Sequence, residues 1–223
     1  MDNIFNRQLG LIHPEKLKIP ILIVGAGSIG SWACLALSKL GCSNITVMDG
    51  DTIEVHNSGS QIYKASDAGE DKIAVLGDKV SFISDGLTNG IAAHWNPENP
   101  EHVKELDKYA IVISAVDNIT TRTQLFEQVR DKNVLYIDAR MAANALEIYT
   151  VRGGVKEDGE AYEETLFDST DEIPVECSER SVVYNVFCVA SLIGDLVAKY
   201  ANGKPIPKEI LVDLENFTMY KTE

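Results

Sequence analysis

Apolar residues in this chain gather into short unbroken runs separated by segments of helical spacing. The first run, about residues 20–25, ends in Gly25-x-Gly27-x-x-Gly30. Short apolar runs bounded by turn residues mark strands buried on both faces, as in a parallel sheet. A helix is expected over 28–40, and a second strand at 44–49 closes in Asp49-Gly-Asp51. Ile73, Leu76, Val80 and Ile83 share one face of a helix over 72–83. Next come a strand near 91–95, with His94 on one of its faces, and a short helix over 101–107. Ala110 to Val116 reads as a fully buried strand, followed by a helix over 119–130 and strands at 133–137 and 146–151. Asn6 to Leu9 hints at a short helix ahead of the sheet. Residues 156–180 are acidic, lack periodicity and are expected to be mobile. A long apolar helix over 181–200 and a strand at 209–214 complete the pattern.

The alternation predicts an α/β fold, a Rossmann-like, doubly wound and mainly parallel sheet with a C-terminal elaboration. No Pro/Gly/Ser-rich linker interrupts it. The expectation is a single domain over 1–223, with its core at 20–151, the acidic segment at 156–180 and a C-terminal helix and strand within 181–223.

Composition narrows the partners. With 34 acidic against 20 basic residues the net charge is −14, which disfavours nucleic acid and anionic membrane surfaces. No basic-then-apolar leader and no apolar run near the ~20 residues of a bilayer span are read, so a cytoplasmic location is expected. The four cysteines, Cys34, Cys42, Cys177 and Cys188, form no CxxC pair, so no structural zinc or disulfide framework is expected.

The glycine turn carries the chemistry. It lets the backbone turn sharply and approach a phosphate, with the amides of Ser28, Ile29 and Gly30 at the helix N-terminus to meet its charge. An acid at the end of the second strand can accept hydrogen bonds from ribose hydroxyls. This identifies an adenine nucleotide without separating ATP from NAD. The other strand ends of such a sheet face the same crevice, and they are polar here: Asp49, Asp51, Asn57, Gln61, Lys72, Asp117 and Asn118. A triphosphate needs cations and a carboxylate-held Mg2+. Lys72 and Arg7 could supply the cations and Asp117 the metal ligand. The ordinary alternatives are a solvated helix start for Lys72 and a helix N-cap for Asp117.

From residue 5 to about 195 the chain resembles the ThiF/MoeB/E1-like family. Phe5-Asn6-Arg7-Gln8 is similar to the family's aromatic-x-Arg-Gln motif. Asp49-Gly-Asp51 through Asn57 to Gln61 follows its D-x-D…N-x-x-R-Q pattern, Gly69-Glu-Asp-Lys72 its G-x-x-K, and Asp117-Asn118-x-x-x-Arg122 its D-N-x-x-x-R. The resemblance implies adenylation of the C-terminal glycine of a ubiquitin-like or sulfur-carrier protein, using ATP and Mg2+. It also implies roles: Asp49 on the ribose, Asn57 and Gln61 beside the phosphates, Lys72 on phosphate, and Asp117 on Mg2+. Arg7 would reach the phosphates of a partner subunit, hence a homodimer.

The chain departs from the pattern at three places. Ser60 stands where the family carries arginine, and Arg140 either compensates or forms a structural salt bridge. The family's zinc CxxC pairs are missing. Cys177 occupies the place of the catalytic cysteine of thioester-forming members, while Cys34 and Cys188 read as core residues. Two rival readings stay open: an NAD-dependent oxidoreductase, in which Asp49 would select NAD over NADP, and a non-catalytic scaffold subunit of the same fold.

Overall fold

Four consecutive aliphatic residues with no polar break can be stable in a strand only where both faces are covered. The computed structural model, which describes residues 4–142, 144–166 and 182–222, shows such strands at the centre of one eight-stranded sheet. Numbered along the chain, β1 (Ile21–Val24), β2 (Ile45–Met48), β3 (Thr88–Ile91), β4 (Ile111–Ser114) and β5 (Leu135–Ala142) are parallel. Strands β6 (Ala145–Arg152), β7 (Glu209–Asp213) and β8 (Thr218–Thr222) continue the sheet antiparallel, in the order β3-β2-β1-β4-β5-β6-β7-β8.

Alternate residues of the central strands serve two cores. Ile21, Ile23, Ile45, Val47, Ile111 and Ile113 pack under α1 (Ser28–Leu40), α2 (Lys72–Ser84) and, after α3 (Pro100–Glu105), α4 (Ile119–Val129) and α5 (Lys156–Glu163), under α6 (Val183–Ala201). On the other face, Leu22, Val24, Met48 and Val112 meet Leu125, Phe126 and Val129 of α4. Helix α6 is 19 residues long with a mean hydropathy of 1.3, so it does reach the length and apolarity of a membrane span. Its Val186, Val189, Ile193, Leu196 and Val197 are buried, most of them in the core shared with α1, while Val183, Tyr184 and Phe187 are exposed.

Several elements differ from expectation for identifiable reasons. Strand β3 lies at 88–91, so His94 sits in the segment beyond it. The strand contains Gly90, where a Cβ would collide with Ile73 of α2; close helix–sheet contact here demands a residue of low β-propensity. Residues 5–11 form successive turns in place of a helix, and a 3-10 turn follows at Pro14–Leu17. Part of the acidic segment expected to be mobile is ordered as α5. Its Asp158 and Tyr162, four residues apart on one face, turn inward: Asp158 pairs with Arg152, and Tyr162 packs edge-on against Phe126 and Tyr136. Residues 167–180 of that segment, including Cys177, lie outside the described residues. Strand β8 was not anticipated. It is an edge strand whose exposed Met219 and Tyr220 give it no buried face to read.

Strands β5 and β6 are eight residues long against four for the central strands. Only Leu135–Asp138 pairs with β4; Ala139–Ala142 pairs with β6 alone. At about 3.3 Å per residue, the hairpin stands some 13 Å beyond the C-terminal edge of the sheet.

Removing the Tyr162 ring should detach α5. Tyr162→Ala is expected to lower unfolding free energy by about 3–5 kcal/mol, read by urea denaturation with α5 amides losing protection in hydrogen exchange.

Candidate active site

Strand order reverses between β1 and β4, and the crevice beyond their C-terminal ends is where ligands bind in such sheets. Its floor is the turn from Gly25 to Gly30. Gly25 has φ +102, and a Cβ there would stand 2.5 Å from the Ala115 carbonyl oxygen beyond β4. A Cβ on Gly30 would collide with the Gly25 carbonyl. Gly27 differs: its φ is −77 and nothing lies within 4 Å of where a Cβ would be. The chain's own packing requires glycine at 25 and 30, whereas at 27 it only keeps the outer surface of the turn bare. Gly27 is the N-cap of α1 and, among the described residues, no side chain caps that helix, which leaves the amides of its first turn without a side-chain acceptor.

Asp49, just past β2, braces the turn. One carboxylate oxygen accepts from Ala26 N at 2.6 Å and the other from Asp51 N at 2.8 Å. A carboxylate has about four acceptor positions, so capacity remains on both oxygens. Lys72 opens α2, as expected, but as a buried residue; Asp71 is the N-cap. The Lys72 side chain is 9% exposed and its Nζ donates to Asp51 Oδ2 at 2.8 Å. The backbones agree, with Lys72 N donating to Asp51 O.

Tyr63, which the sequence reading passed over, ties these parts together. Its buried hydroxyl lies 2.9 Å from Ala26 O and 3.4 Å from Lys72 O. Burial, with Asp49, Asp71 and Asp51 nearby, pushes its phenol far up, so it serves as a neutral donor. The only available signal was an aromatic residue inside a polar loop.

The loop from Asp51 to Asp71 is held by local caps and by bonds to α1. Asn57 Oδ1 accepts from Glu54 N, capping the 3-10 turn Val55–Gly59. Ser60 Oγ lies 2.9 Å from Ser28 Oγ, and its carbonyl accepts from the Trp32 indole. Gln61 Oε1 is buried with no partner among the described residues.

At the end of β4, the N-cap of α4 is Asn118, whose Oδ1 accepts from Thr121 N, and not Asp117. The Asp117 carboxylate is exposed, with Asn118 Nδ2 at 3.5 Å as its one hydrogen bond among the described residues. Arg122 turns back from α4 to Val116 O and to the wholly buried Asp138, clamping the loop that carries Asp117. Asp138 also accepts from Arg140 Nε and from the Tyr162 hydroxyl. Arg140 lies inside β5, not past its end, and its remaining nitrogens donate to Thr165 O and Oγ1. All three of its nitrogens are thus engaged, and Arg140 forms the structural salt bridge with Asp138.

Arg7 is not brought to this crevice. Gln8 Nε2 donates to Leu40 O, and the Phe5 ring lies beside Gly41, at the far end of α1. The 13 residues of α1 put that end about 18 Å from the turn. Cys34 and Cys42 are buried and their thiols are pushed up to about 12. Cys188 is half-buried on α6, less enclosed than a core residue.

The glycines separate fold from binding. Gly30→Ala is expected to cost about 1–3 kcal/mol of stability, while Gly27→Ala stays within about 0.5 kcal/mol of the parent and loses nucleotide affinity; chemical denaturation and calorimetric titration read the two effects.

A family model described as the ThiF family matches residues 5–222. The chain is 34% identical over 104 residues to adenylyltransferase and sulfurtransferase MOCS3-2 of Zea mays, covering 46% of this chain and 21% of that protein. It is 27% identical over 145 residues to tRNA threonylcarbamoyladenosine dehydratase 1 of Saccharomyces cerevisiae, covering 60% of this chain and 34% of that protein. The matched stretch is thus about a fifth to a third of these relatives' length. Among solved structures, Escherichia coli MccB crystallised with AMPCPP and selenomethionine-labelled MccA matches with a TM-score of 0.79 at 18% identity, over 100% of this chain and 71% of that chain, a likeness of fold. With glycine turn, strand-end acids and buried lysine inside a match that runs almost from end to end, the chain belongs to the ThiF family.

Proposed function

We propose that this chain is an ATP- and Mg2+-dependent adenylyltransferase that activates a carboxylate, the C-terminal glycine of a ubiquitin-like or sulfur-carrier protein. The observation that carries the reading is Lys72, an ammonium held almost out of water at the crevice beside a glycine turn with a bare outer face. The residues fit a nucleoside triphosphate. Asp49 has spare acceptor capacity for ribose hydroxyls, and Gln61 carries a buried polar atom without a partner. Asp117, exposed and not used as a cap, fits a hard cation that takes oxygen ligands. The maize relative is named as an adenylyltransferase, and the MccB structure is described with AMPCPP.

In this reading a carboxylate oxygen of the carrier attacks the α-phosphorus of ATP. A carboxyl-oxygen-to-phosphorus bond forms, the bond from that phosphorus to the bridging oxygen breaks, and pyrophosphate leaves with the electron pair. Lys72 keeps two N–H donors for phosphate oxygens after Asp51 takes the third. Asp51 thereby orients the ammonium, and Tyr63 fixes the backbone beneath it. Asp117 would hold Mg2+, which when bound would supply further neutralisation of phosphate charge. The Ser28 and Ser60 hydroxyls offer hydrogen bonds where the family pattern has a cation. Arg7 then acts on the site of a second subunit, because the length of α1 keeps it from its own.

Ser60 favours a second reading, a non-catalytic scaffold, since it stands where the family pattern carries arginine and Arg140 is engaged with Asp138 and Thr165. ATP–pyrophosphate exchange with carrier proteins ending in glycine decides between them. Exchange should occur and fall about 10²–10³-fold in Lys72→Ala. Arg7→Ala alone should be equally inactive, yet co-expression with Lys72→Ala should restore about a quarter of parental exchange, because half the dimers are mixed and each holds one complete site. Bound MgATP without exchange for any carrier would establish the scaffold.

A further inference from the structure

His94 belongs to no motif of the sequence, and the fold carries it to the nucleotide edge. Strand β3 ends at Ile91, whose carbonyl accepts from Asp49 N at 3.1 Å, so the segment that follows crosses the C-terminal end of β2. There the His94 imidazole lies directly against Gly50. A Cβ at Gly50 would stand 2.8 Å from its Cδ2 and 2.9 Å from its Cγ. The His94 backbone nitrogen would be nearer still, at 2.7 Å, so glycine between the two aspartates is what lets this segment, and the ring with it, lie against the end of β2. The side chain is 73% exposed, and Nε2 stands 3.7 Å from Asp51 Oδ1. Asp51 thus lies between two bases, with Oδ2 on buried Lys72 and Oδ1 toward exposed His94.

Among the described residues, Asp49 lies across Gly50 and Asp71 stands at the start of α2; on the segment of His94 itself the nearest charged residue in sequence is Glu98. The corner is acidic. Asp49, Asp51 and Asp71 all act on the buried Tyr63, and Lys72 is the cation paired with Asp51 inside the group. A polyanionic ligand approaching Lys72 must meet these carboxylates. A neutral imidazole leaves that repulsion in place, and an imidazolium offsets it.

We propose that His94 is a nucleotide-binding residue of this site, which as an imidazolium pairs with Asp51 and leaves the free donors of Lys72 to the phosphates. The proposal rests on the nucleotide reading of the crevice. Imidazoles change charge between about pH 5 and 8. Phosphate binding favours the charged form, so by linkage affinity rises as pH falls through that range and flattens once the free protein is fully protonated. Protonation of the nucleotide itself runs the other way, but equally for every variant, so the ratio of variant to parental affinity isolates His94.

The test is calorimetric titration with AMPCPP and Mg2+ from pH 5.5 to 8.5, on the parent, His94→Gln and His94→Lys. The ratio of Kd for His94→Gln to that of the parent should grow about fivefold from the alkaline to the acid end, the scale of one partly exposed ion pair. His94→Lys, which keeps the cation throughout, should stay tight at pH 8.5, where the parent has weakened. A ratio constant across pH, or a lysine variant that binds like the glutamine variant, overturns the role of His94 while leaving the site a nucleotide site. Absence of AMPCPP binding by all three proteins at every pH overturns both readings.

Discussion

The Asp138 carboxylate is buried completely between Arg122 and Arg140, and a charge so placed persists only when both oxygens are answered. Oδ1 takes the Arg122 Nε, and Oδ2 takes the Arg140 Nε and the Tyr162 hydroxyl. Each donor brings a different element with it. Through Arg122 the carboxylate holds the β4–α4 loop and hence the backbone at Asp117. Through Arg140 it holds Thr165, and through Tyr162 it holds α5. One buried anion therefore sets the mutual position of three segments around the crevice, and two guanidinium groups against one carboxylate leave net positive charge behind the end of β4.

The opposite flank is organised by backbone contact. Gly25, Gly30 and Ala115 approach so closely that side chains are excluded, and Asp49 fastens the resulting turn to β2 by two amide hydrogen bonds. Tyr63 then joins the turn to the start of α2. Asp49 is thus a structural brace of the turn, whatever else its two oxygens accept.

Much of this was legible in the chain. Buried parallel strands read as unbroken aliphatic runs, so β1, β2 and β4 stood out, and the glycine spacing located the turn between β1 and α1. Lys72 was placed correctly at a helix start because apolar spacing begins at Ile73. What escaped notice depended on contacts between distant residues. Gly90 weakened the signal of β3 because α2 presses on it. The acidic composition of 156–163 concealed Asp158 and Tyr162, whose partners lie on α4, β5 and β6. Asp138 drew no reading from the sequence, because its meaning lies in two arginines and a tyrosine that no local pattern associates with it. The family resemblance supplied a role for Asn57 beside the phosphates and none for Arg140; the geometry shows the Asn57 Oδ1 in a cap and Arg140 in a brace.

The overhang of β5 and β6 beyond the sheet gives the crevice two dielectric regimes. On the flank toward the hairpin the charges are enclosed: Asp138 is wholly buried and the side chains of Arg122 and Arg140 are 9% and 12% exposed. On the flank toward β2 and β3, Asp51 and His94 stand largely in water. Mobile counter-ions screen the second set and scarcely reach the first, with a Debye length of about 8 Å at physiological ionic strength. Salt therefore screens Asp51 and His94, while the enclosed charges of the hairpin flank, and Lys72 buried behind Asp51, keep their field at any physiological ionic strength.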